Sequence, residues 1–442
     1  MSARIRNIIE ALSANIWMVP LLFLLGAIGL AVLNFYLDKT LLSEQAQFLE
    51  KFPYFKNADN IRTLLSVSAT SILGVAGVSF SITVASLTLA SQQFGPRLLR
   101  NFMMDRFNQV VLGVFTGTFL YCIMMLQLTG SMDLEKTTPL ASMIGLLILI
   151  FINLLMLLFF IHHIAVSIQA DSVISNVNVE LQLQLEKLFP ELHDESQQFV
   201  ASSKAVSQLK NESNAVFATS SGYLQAIDYE SLMKLLTDKD IAIEIRVKPG
   251  DFIIQNSQIG RCLSKQPDQN KINDAINEYL LLGEKGSAEQ DPEFAVRQLV
   301  EVAVRALSPG INDPFTAITC LDRLGDSLAF LTHRQFPSDQ HVDEEGQLRL
   351  ITKPFTFEGM VEASFNQIRQ HGSSDMSVSI RLLDTLQCLA AQVRSAEQAK
   401  AISIQADALY FTLKANSHAK KDQDDIEARY QSINQCIESR FS

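Results

Sequence analysis

The chain has 442 residues, of which 48% are hydrophobic, and a formal net charge of −11. The charge is uneven, because residues 1–170 hold 10 Lys+Arg and 8 Asp+Glu (net +2), whereas residues 171–442 hold 26 and 39 (net −13). No basic stripe is present to neutralise phosphates, which argues against nucleic acid as a partner and against a polybasic lipid-binding tail.

Four stretches near the amino end predict membrane-spanning helices. Each is about 20 residues or longer, apolar, and free of Asp, Glu, Lys and Arg. They cover about residues 17–36, 64–90, 110–129 and 141–166. The first expected partner is therefore the lipid bilayer. Without a charged residue in any predicted span, an ion-coupled carrier is disfavoured, and either a passive pore or a protein that transports nothing is favoured.

The second predicted span has an unusual face. Residues 63–96 contain no charged residue and are rich in Ser, Thr, Gly and Ala. At helical spacing, small and hydroxyl side chains align on one narrow stripe. A lipid-facing helix does not need such a stripe, so we interpret it as lining a pore or packing closely against another helix, in a homo-oligomer. We call this the small-residue stripe: Ser66, Thr70, Gly74, Gly77, Ser81, Ala85 and Thr88.

The loop charges indicate an orientation. Arg4 and Arg6 precede the first span, and basic residues crowd the 97–106 loop, which favours both termini in the cytoplasm of a bacterial inner membrane. We expect the first span to be an uncleaved anchor. The residues after Gly95-Pro96 also predict an amphipathic helix at the inner leaflet. In the third span, Gly113 and Gly117 permit close helix contact.

Residues 171–442 read as soluble. We predict a helical connector over 171–236 and a cytoplasmic α+β domain with a small β element over 237–442. Strands are expected at 241–247, at 252–255 and near 260–263, and a strand pair at 348–357. Helices are expected at 272–282, 291–307, 377–395, 399–415 and from Lys420 onward. The five cysteines form no CxxC pair, which favours reduced thiols.

The segment 305–317 is the strongest candidate for a binding site in this part. It stops one helix at Ser308-Pro309-Gly310 and starts the next with Asp313 as N-cap and Pro314 in the first turn. A helix amino terminus near a basic side chain can bind an anion or a carboxylate. The alternatives are a cation held by acidic residues (Glu301, Asp313 and Asp322) and a tightly capped turn without a ligand. The candidate ligand-binding residues are Arg305, Ser308, Asn312, Asp313 and Thr316.

Five segments resemble a bacterial family of predicted membrane proteins, domain of unknown function 2254. They are Ala90-Ser-Gln-Gln-Phe-Gly-Pro-Arg97, Gly222-Tyr-Leu-Gln-Ala226, Lys248-Pro-Gly-Asp-Phe252, Gln290-Asp-Pro292 and Arg305-Ala-Leu-Ser-Pro-Gly-Ile-Asn-Asp-Pro-Phe-Thr-Ala317. The resemblance implies an integral membrane protein with an amino-terminal multi-span part and a soluble carboxy-terminal part. It implies no catalytic residue and no substrate.

Several motifs that would indicate an enzyme are missing, including GxxxxGK[ST], HExxH and GxSxG. We predict no catalytic residue, no metal site and no cofactor, so an enzyme is disfavoured. The favoured function is a homo-oligomeric, channel-like pore with an acidic cytoplasmic domain. The first alternative is a membrane scaffold or sensor whose cytoplasmic domain binds a partner or a small anionic ligand. The second is an enzyme that acts on a lipid or nucleotide at the 305–317 segment.

Overall fold

The computed structural model describes residues 17–40, 58–98, 105–130, 139–191, 209, 213–264, 268–415 and 419–441. The chain divides into two compact units, Met1–Ser172 and Val173–Ser442. The first unit is helical in its described residues, and the second combines helices with small sheets.

In the first unit, four of the described helices are long and apolar enough to cross a membrane. They coincide with the four predicted spans, although each continues beyond at least one predicted limit, by one to six residues. The second helix is 37 residues long, or about 55 Å at 1.5 Å per residue. The bounds are α1 (Met18–Thr40), α2 (Ala58–Phe94), α3 (Arg106–Thr129) and α4 (Leu140–Ser167).

Helix α3 is the centre of this bundle. It packs against α1, α2 and α4, and 56% of its most apolar stretch is buried, compared with 17% for α2. One apolar cluster joins Leu65 of α2 to Met125 of α3 and Leu146 of α4. A second joins Ile72 of α2 to Phe115 of α3 and Phe160 of α4. Within a single chain, α2 is therefore a peripheral helix.

The helix ends follow from local sequence. Asp105 caps α3, because its side chain accepts a hydrogen bond from the Phe107 amide. Helix α2 ends before Gly95, which has a φ of +108°, and a short 3-10 turn, Pro96–Leu98, follows. Most of the predicted amphipathic helix beyond this turn, residues 99–104, lies outside the described residues.

The second unit begins within α5 (Ala170–Leu188), which follows α4 after a two-residue break. It buries Val173, Val177, Leu181 and Leu185, at the helical spacing that the sequence predicts. The range 171–236 also holds two strands, β1 (Asn214–Phe217) and β2 (Gly222–Ile227), beside the helices expected of a connector. Both strands are short and have polar neighbours, so their apolar alternation is weak in sequence.

The strands form two sheets. One has the order β1-β5-β3-β8-β7, in which only the pairing of β3 with β8 is parallel, and the other has the antiparallel order β4-β2-β6. Both contribute to one apolar core, which includes Leu224, Ile243 and Ile259. The remaining elements here are α6 (Tyr229–Asp238), β3 (Ala242–Ile245), β4 (Phe252–Ile253), β5 (Gln258–Leu263), α7 (Gln269–Asn277), β6 (Leu280–Gly283), β7 (Gln340–Val342) and β8 (Leu348–Ile351).

Two sequence predictions are wrong in this region. Residues 280–282, expected to continue a helix, form β6, because this leucine run supplies the edge that pairs with β2. The strand pair expected at 348–357 has only β8 there, and its antiparallel partner β7 lies earlier in the chain. Short apolar runs fit a helix or a strand equally well, and long-range pairing decides between them.

Six helices complete the second unit as three consecutive hairpins. Each helix contacts the helix two places along the chain, so the hairpins stack in two layers, the arrangement of an α-solenoid. One of these helices, α10, was not predicted from the sequence. The bounds are α8 (Glu293–Ala306), α9 (Pro314–Leu331), α10 (Phe357–Gly372), α11 (Met376–Ala390), α12 (Ala396–Ala415) and α13 (Lys420–Phe441).

Candidate functional sites

The small-residue stripe faces away from the bundle. Helix α2 buries a different face, which includes Leu65, Ile72 and Ala76. At about 100° per residue, the stripe lies on the opposite side of the helix from that face. All seven of its members are exposed in the single chain: Ser66, Thr70, Gly74, Gly77, Ser81, Ala85 and Thr88.

The stripe presents little polarity and much open space. The hydroxyls of Thr70, Ser81 and Thr88 donate to carbonyls four residues earlier, at 3.0, 2.9 and 3.0 Å. A Cβ added at Gly74 or Gly77 would meet nothing within 4 Å. The surface of the stripe is therefore flat, and these three hydroxyls find their acceptors within α2. Larger side chains flank the stripe, such as Val78 and Phe80.

The glycine pair of α3 is used inside the chain. A Cβ added at Gly113 would lie 2.7 Å from the ring of Phe23, and one at Gly117 would lie 3.2 Å from the Phe23 carbonyl oxygen. The predicted close contact at Gly113 and Gly117 is therefore occupied by α1. The two glycines of the small-residue stripe have no such neighbour.

A carboxylate enters the bundle at the end of α1. Asp38 is fully buried and accepts hydrogen bonds from the backbone amides of Ala141 (2.6 Å) and Ser142 (3.1 Å) and from the Ser142 hydroxyl (2.5 Å). It thus satisfies the first turn of α4. The predicted span, residues 17–36, contains no charged residue, and Asp38 lies in the part of α1 that continues beyond it. Nearby, Asn34 donates to the Tyr121 hydroxyl at 2.9 Å.

At the amino end of α3, the capping residue Asp105 also contacts α4. The distance from its Oδ2 to His163 Nε2 is 2.5 Å, and the Phe107 ring packs on that imidazole at 4.6 Å. Asp105 is thus a definite partner for His163, the second of two adjacent histidines near the end of α4.

In the second unit, the 305–317 segment is a closed turn. Ser308 Oγ donates to the Arg305 carbonyl at 2.6 Å, and Asn312 adopts a φ of +50°. The Asp313 carboxylate accepts from the Thr316 amide (3.1 Å) and the Thr316 hydroxyl (2.6 Å). The five candidate ligand-binding residues therefore lie together, and the described side-chain contacts of Ser308, Asp313 and Thr316 form the helix caps of the turn itself.

This turn also exposes apolar side chains. Phe315 is 78% exposed and Ile311 is 43% exposed, where α8 has ended and α9 begins. The Arg305 guanidinium lies 3.5 Å from Glu301 on its own helix. The part of the turn that points outward is thus apolar rather than charged.

Three of the segments that carry the family resemblance meet at one place. The Gly250 amide donates to the Leu224 carbonyl at 2.8 Å, and the Leu224 amide donates to the Asp251 carbonyl at 2.9 Å. The Gln290 side chain bonds both backbone groups of Ile227, at 2.9 and 3.0 Å. The turn at 248–252 and the start of α8 are therefore both fastened to β2.

A network of charges fills this junction, which sequence reasoning did not identify. Asp291 is fully buried, accepts from the Glu293 amide at 3.0 Å and contacts Arg297. Glu293 contacts Lys248 and lies 3.0 Å from Arg297. Burial raises the pKa of the Asp291 carboxyl to about 6, although the Arg297 charge opposes this. The available signal in the sequence was an acidic residue just before a helix, two residues from another acidic residue and six from an arginine.

The geometry offers no metal centre in the part of the chain that the structure describes, where no group of three or more His, Cys, Asp or Glu side chains is placed to hold an ion. All five cysteines are free thiols, and burial raises the pKa of Cys262 to about 11. The four charged side chains of the network, Lys248, Asp291, Glu293 and Arg297, are paired with one another.

Four long apolar helices followed by a helical and β-containing unit define a multi-helix protein of membrane type. The chain belongs to the family described as "Predicted membrane protein (DUF2254)", whose profile matches residues 13–388. This confirms the resemblance inferred from the five segments.

Two mycobacterial relatives of the chain are described only as uncharacterized proteins. An uncharacterized protein of Mycobacterium bovis and one of Mycobacterium tuberculosis (strain H37Rv) are each 30% identical to the chain over 396 residues, covering 88% of this chain and 74% of the relative. No solved structure matches the chain with significant similarity. The family thus supports a membrane protein, and any activity must be argued from the molecule itself.

Proposed function

We propose that this protein is a homo-oligomeric, channel-like pore of the bacterial inner membrane, with both termini in the cytoplasm. One observation carries the proposal: the small-residue stripe of α2 faces away from its own chain. Such a surface suits close approach of another helix. A second copy supplies an identical surface, and symmetric oligomers are the commonest assemblies of soluble proteins.

The stripe suits an axis shared by several copies. The hydroxyls of Thr70, Ser81 and Thr88 bond carbonyls of their own helix, so these three groups have a hydrogen-bond acceptor before assembly. In an assembly, the same hydroxyl oxygens and the small side chains leave room for a narrow, weakly polar passage. The net charge of −13 over residues 171–442 favours cations near the soluble part of each copy through its field.

Cysteine cross-linking in native membranes tests the assembly. In a background with Cys388 and Cys436 replaced by Ser, Ser81→Cys lies on the stripe, and Ser79→Cys lies on the buried face of the same helix. We expect oxidation to link copies through Ser81→Cys and not through Ser79→Cys. Equal cross-linking of both variants, or of neither, contradicts the proposed interface.

Conductance tests the pore. Purified protein in planar bilayers should pass discrete currents, and Ser81→Phe or Thr70→Leu should reduce them at least several-fold by filling the axis. Val78→Leu adds volume on the flank of the stripe and should leave the current nearly unchanged. If an intact oligomer passes no current, the channel proposal is wrong, whereas the proposed oligomer remains supported.

A second candidate function is a non-transporting scaffold or sensor whose soluble unit binds a partner or a small anionic ligand. The exposed Phe315 and Ile311, at the turn between α8 and α9, favour it. On this alternative, a copy that carries Phe315→Ser fails to complement deletion of the gene. Its oligomeric state and its current in bilayers stay unchanged. Normal complementation by Phe315→Ser would remove the support for it.

A further inference from the structure

A groove lies between three helices of the first unit. Its volume is about 450 Å³, and α1, α3 and α4 each contribute part of its wall. Leu22 and Gly26 line it from α1, Gly117 lines it from α3, and Leu149 and Ile152 line it from α4. Leu22 is 62% exposed, so the groove opens to the medium around the bundle. It is separate from the small-residue stripe, which lies on α2.

The groove offers no hydrogen bond to an occupant. Its only hydroxyl belongs to Thr118, which donates to the Val114 carbonyl at 2.8 Å and accepts from Asn153 Nδ2 at 2.8 Å. The other lining side chains are apolar or glycine. Water in such a space would lack the two to four polar partners that it needs.

The groove stays open beside the place where α1 and α3 pack most closely. Phe23 lies on Gly113 and Gly117, which brings α1 against α3. One turn along α1, Gly26 presents no side chain, and a Cβ placed there would meet nothing within 4 Å. The glycine therefore leaves the wall of α1 indented where a leucine would fill it.

We propose that this groove binds a hydrocarbon chain of a membrane lipid. The four helices are long and apolar enough to lie in a bilayer, so acyl chains are the medium at the mouth of the groove. The volume is about three times the ~150 Å³ of an apolar cavity that holds benzene, so it accepts a chain rather than a single ring.

A helix of a second copy does not fit the same space. One turn of a helix about 10 Å wide and 5.4 Å in pitch occupies roughly 400 Å³. The groove would therefore hold about one turn and leave the remainder of a spanning helix without contact. A flexible chain fills a short, curved space without that loss.

Native mass spectrometry of the full-length protein tests the proposal. Delipidated protein in detergent is titrated with phosphatidylglycerol, and the number of retained lipids is counted. We expect Gly26→Leu to retain one lipid fewer than wild type, or to bind it at least tenfold more weakly. Gly29→Leu is the matched control, because Gly29 also has open space but does not line the groove. Ile152→Phe fills the groove from the opposite wall and should repeat the loss even if Gly26→Leu folds poorly.

If the groove binds the acyl chain, binding must depend on that chain and not on the lipid headgroup. Phosphatidylcholine with the same acyl chains should bind as tightly as phosphatidylglycerol, whereas shortening the chains should weaken binding. Equal lipid counts in wild type, Gly26→Leu and Ile152→Phe overturn the proposal, as does an equal loss in Gly29→Leu. Dependence on the headgroup, or a changed oligomeric state without a changed lipid count, likewise overturns it.

Discussion

Gly250 lies where the backbone of one turn approaches the charged network most closely. Its φ is +95°, and a Cβ added there would lie 2.8 Å from the Asp291 carboxyl carbon and 3.1 Å from Arg297 Nη2. We expect Gly250→Ala to lower the unfolding free energy by about 1–3 kcal/mol, because strain and crowding add. Gly310→Ala is the control, since Gly310 has nothing within 4 Å. Thermal denaturation of both variants in detergent measures the difference, and equal midpoints would refute it.

Asp291 gives the second unit a pH dependence. Burial raises the pKa of its carboxyl from 3.8 to about 6, so the folded protein holds this proton more tightly than the unfolded chain does. The resulting stabilisation is complete below about pH 4 and is lost as pH rises through about 6. Relative to Asp291→Asn, which stays neutral, wild type should lose about 2–3 kcal/mol of unfolding free energy between pH 4 and pH 7. Chemical denaturation at several pH values checks this, and a constant difference would contradict it.

At the scale of elements, the glycines of α2 and α3 have opposite roles. Gly117→Leu would drive a side chain into the Phe23 backbone and separate α1 from α3, so we expect a loss of about 1–3 kcal/mol in stability. Gly77→Leu adds the same side chain where no neighbour lies within 4 Å, and it should leave the monomer stable. Thermal unfolding of each variant as a monomer in harsh detergent separates the two cases. Similar destabilisation by both would show that α2 is not peripheral.

The same pair shows what sequence can decide about such helices. Spacing revealed both glycine patterns, because small residues at helical intervals are visible in one dimension. It did not reveal which of the two glycine patterns makes a helix contact within the chain, since that depends on how the four helices pack. Residues 63–94 of α2 form a long uncharged stretch in the sequence, whereas the most buried of the four helices is α3.

Contacts between distant residues explain the other differences. Asp313 was correctly predicted as an N-cap, because its partner, Thr316, is three residues away. The burial of Asp291 could not be predicted, because it depends on a turn at 248–252 that lies about forty residues earlier. Local chemistry was readable from sequence, and the charged junction that unites three segments was not.

At the scale of the whole molecule, the stacked hairpins α8–α13 predict graded stability. Helix α13 contacts α11 and α12, where Gln387 bonds Ser432 at 2.8 Å and the rings of Tyr410 and Tyr430 stack at 4.0 Å. In a stack each hairpin depends mainly on its neighbours. We therefore expect Ile433→Asp, which places a charge at a fully buried position, to expose α11 and α12 while α8 and α9 stay protected.

Hydrogen exchange of the full-length protein measures this gradient. Protection should fall over residues 376–415 and remain near wild-type levels over residues 293–331. The exposed substitution Asp424→Ala should change neither region. Uniform loss of protection from α8 to α13 would mean that the second unit unfolds as a single cooperative block.

The cap that Asp38 places on α4 also constrains biosynthesis. Ser142 follows Asp38 by 104 residues, so at roughly 5–20 residues per second the ribosome needs about 5–20 seconds to deliver the amides that this carboxylate will serve. Until then the carboxylate requires water or another donor, because a bare charge is costly in a lipid environment. The carboxyl end of α1 must accordingly stay hydrated during synthesis. Membrane insertion of these four helices is complete only when α4 contacts α1.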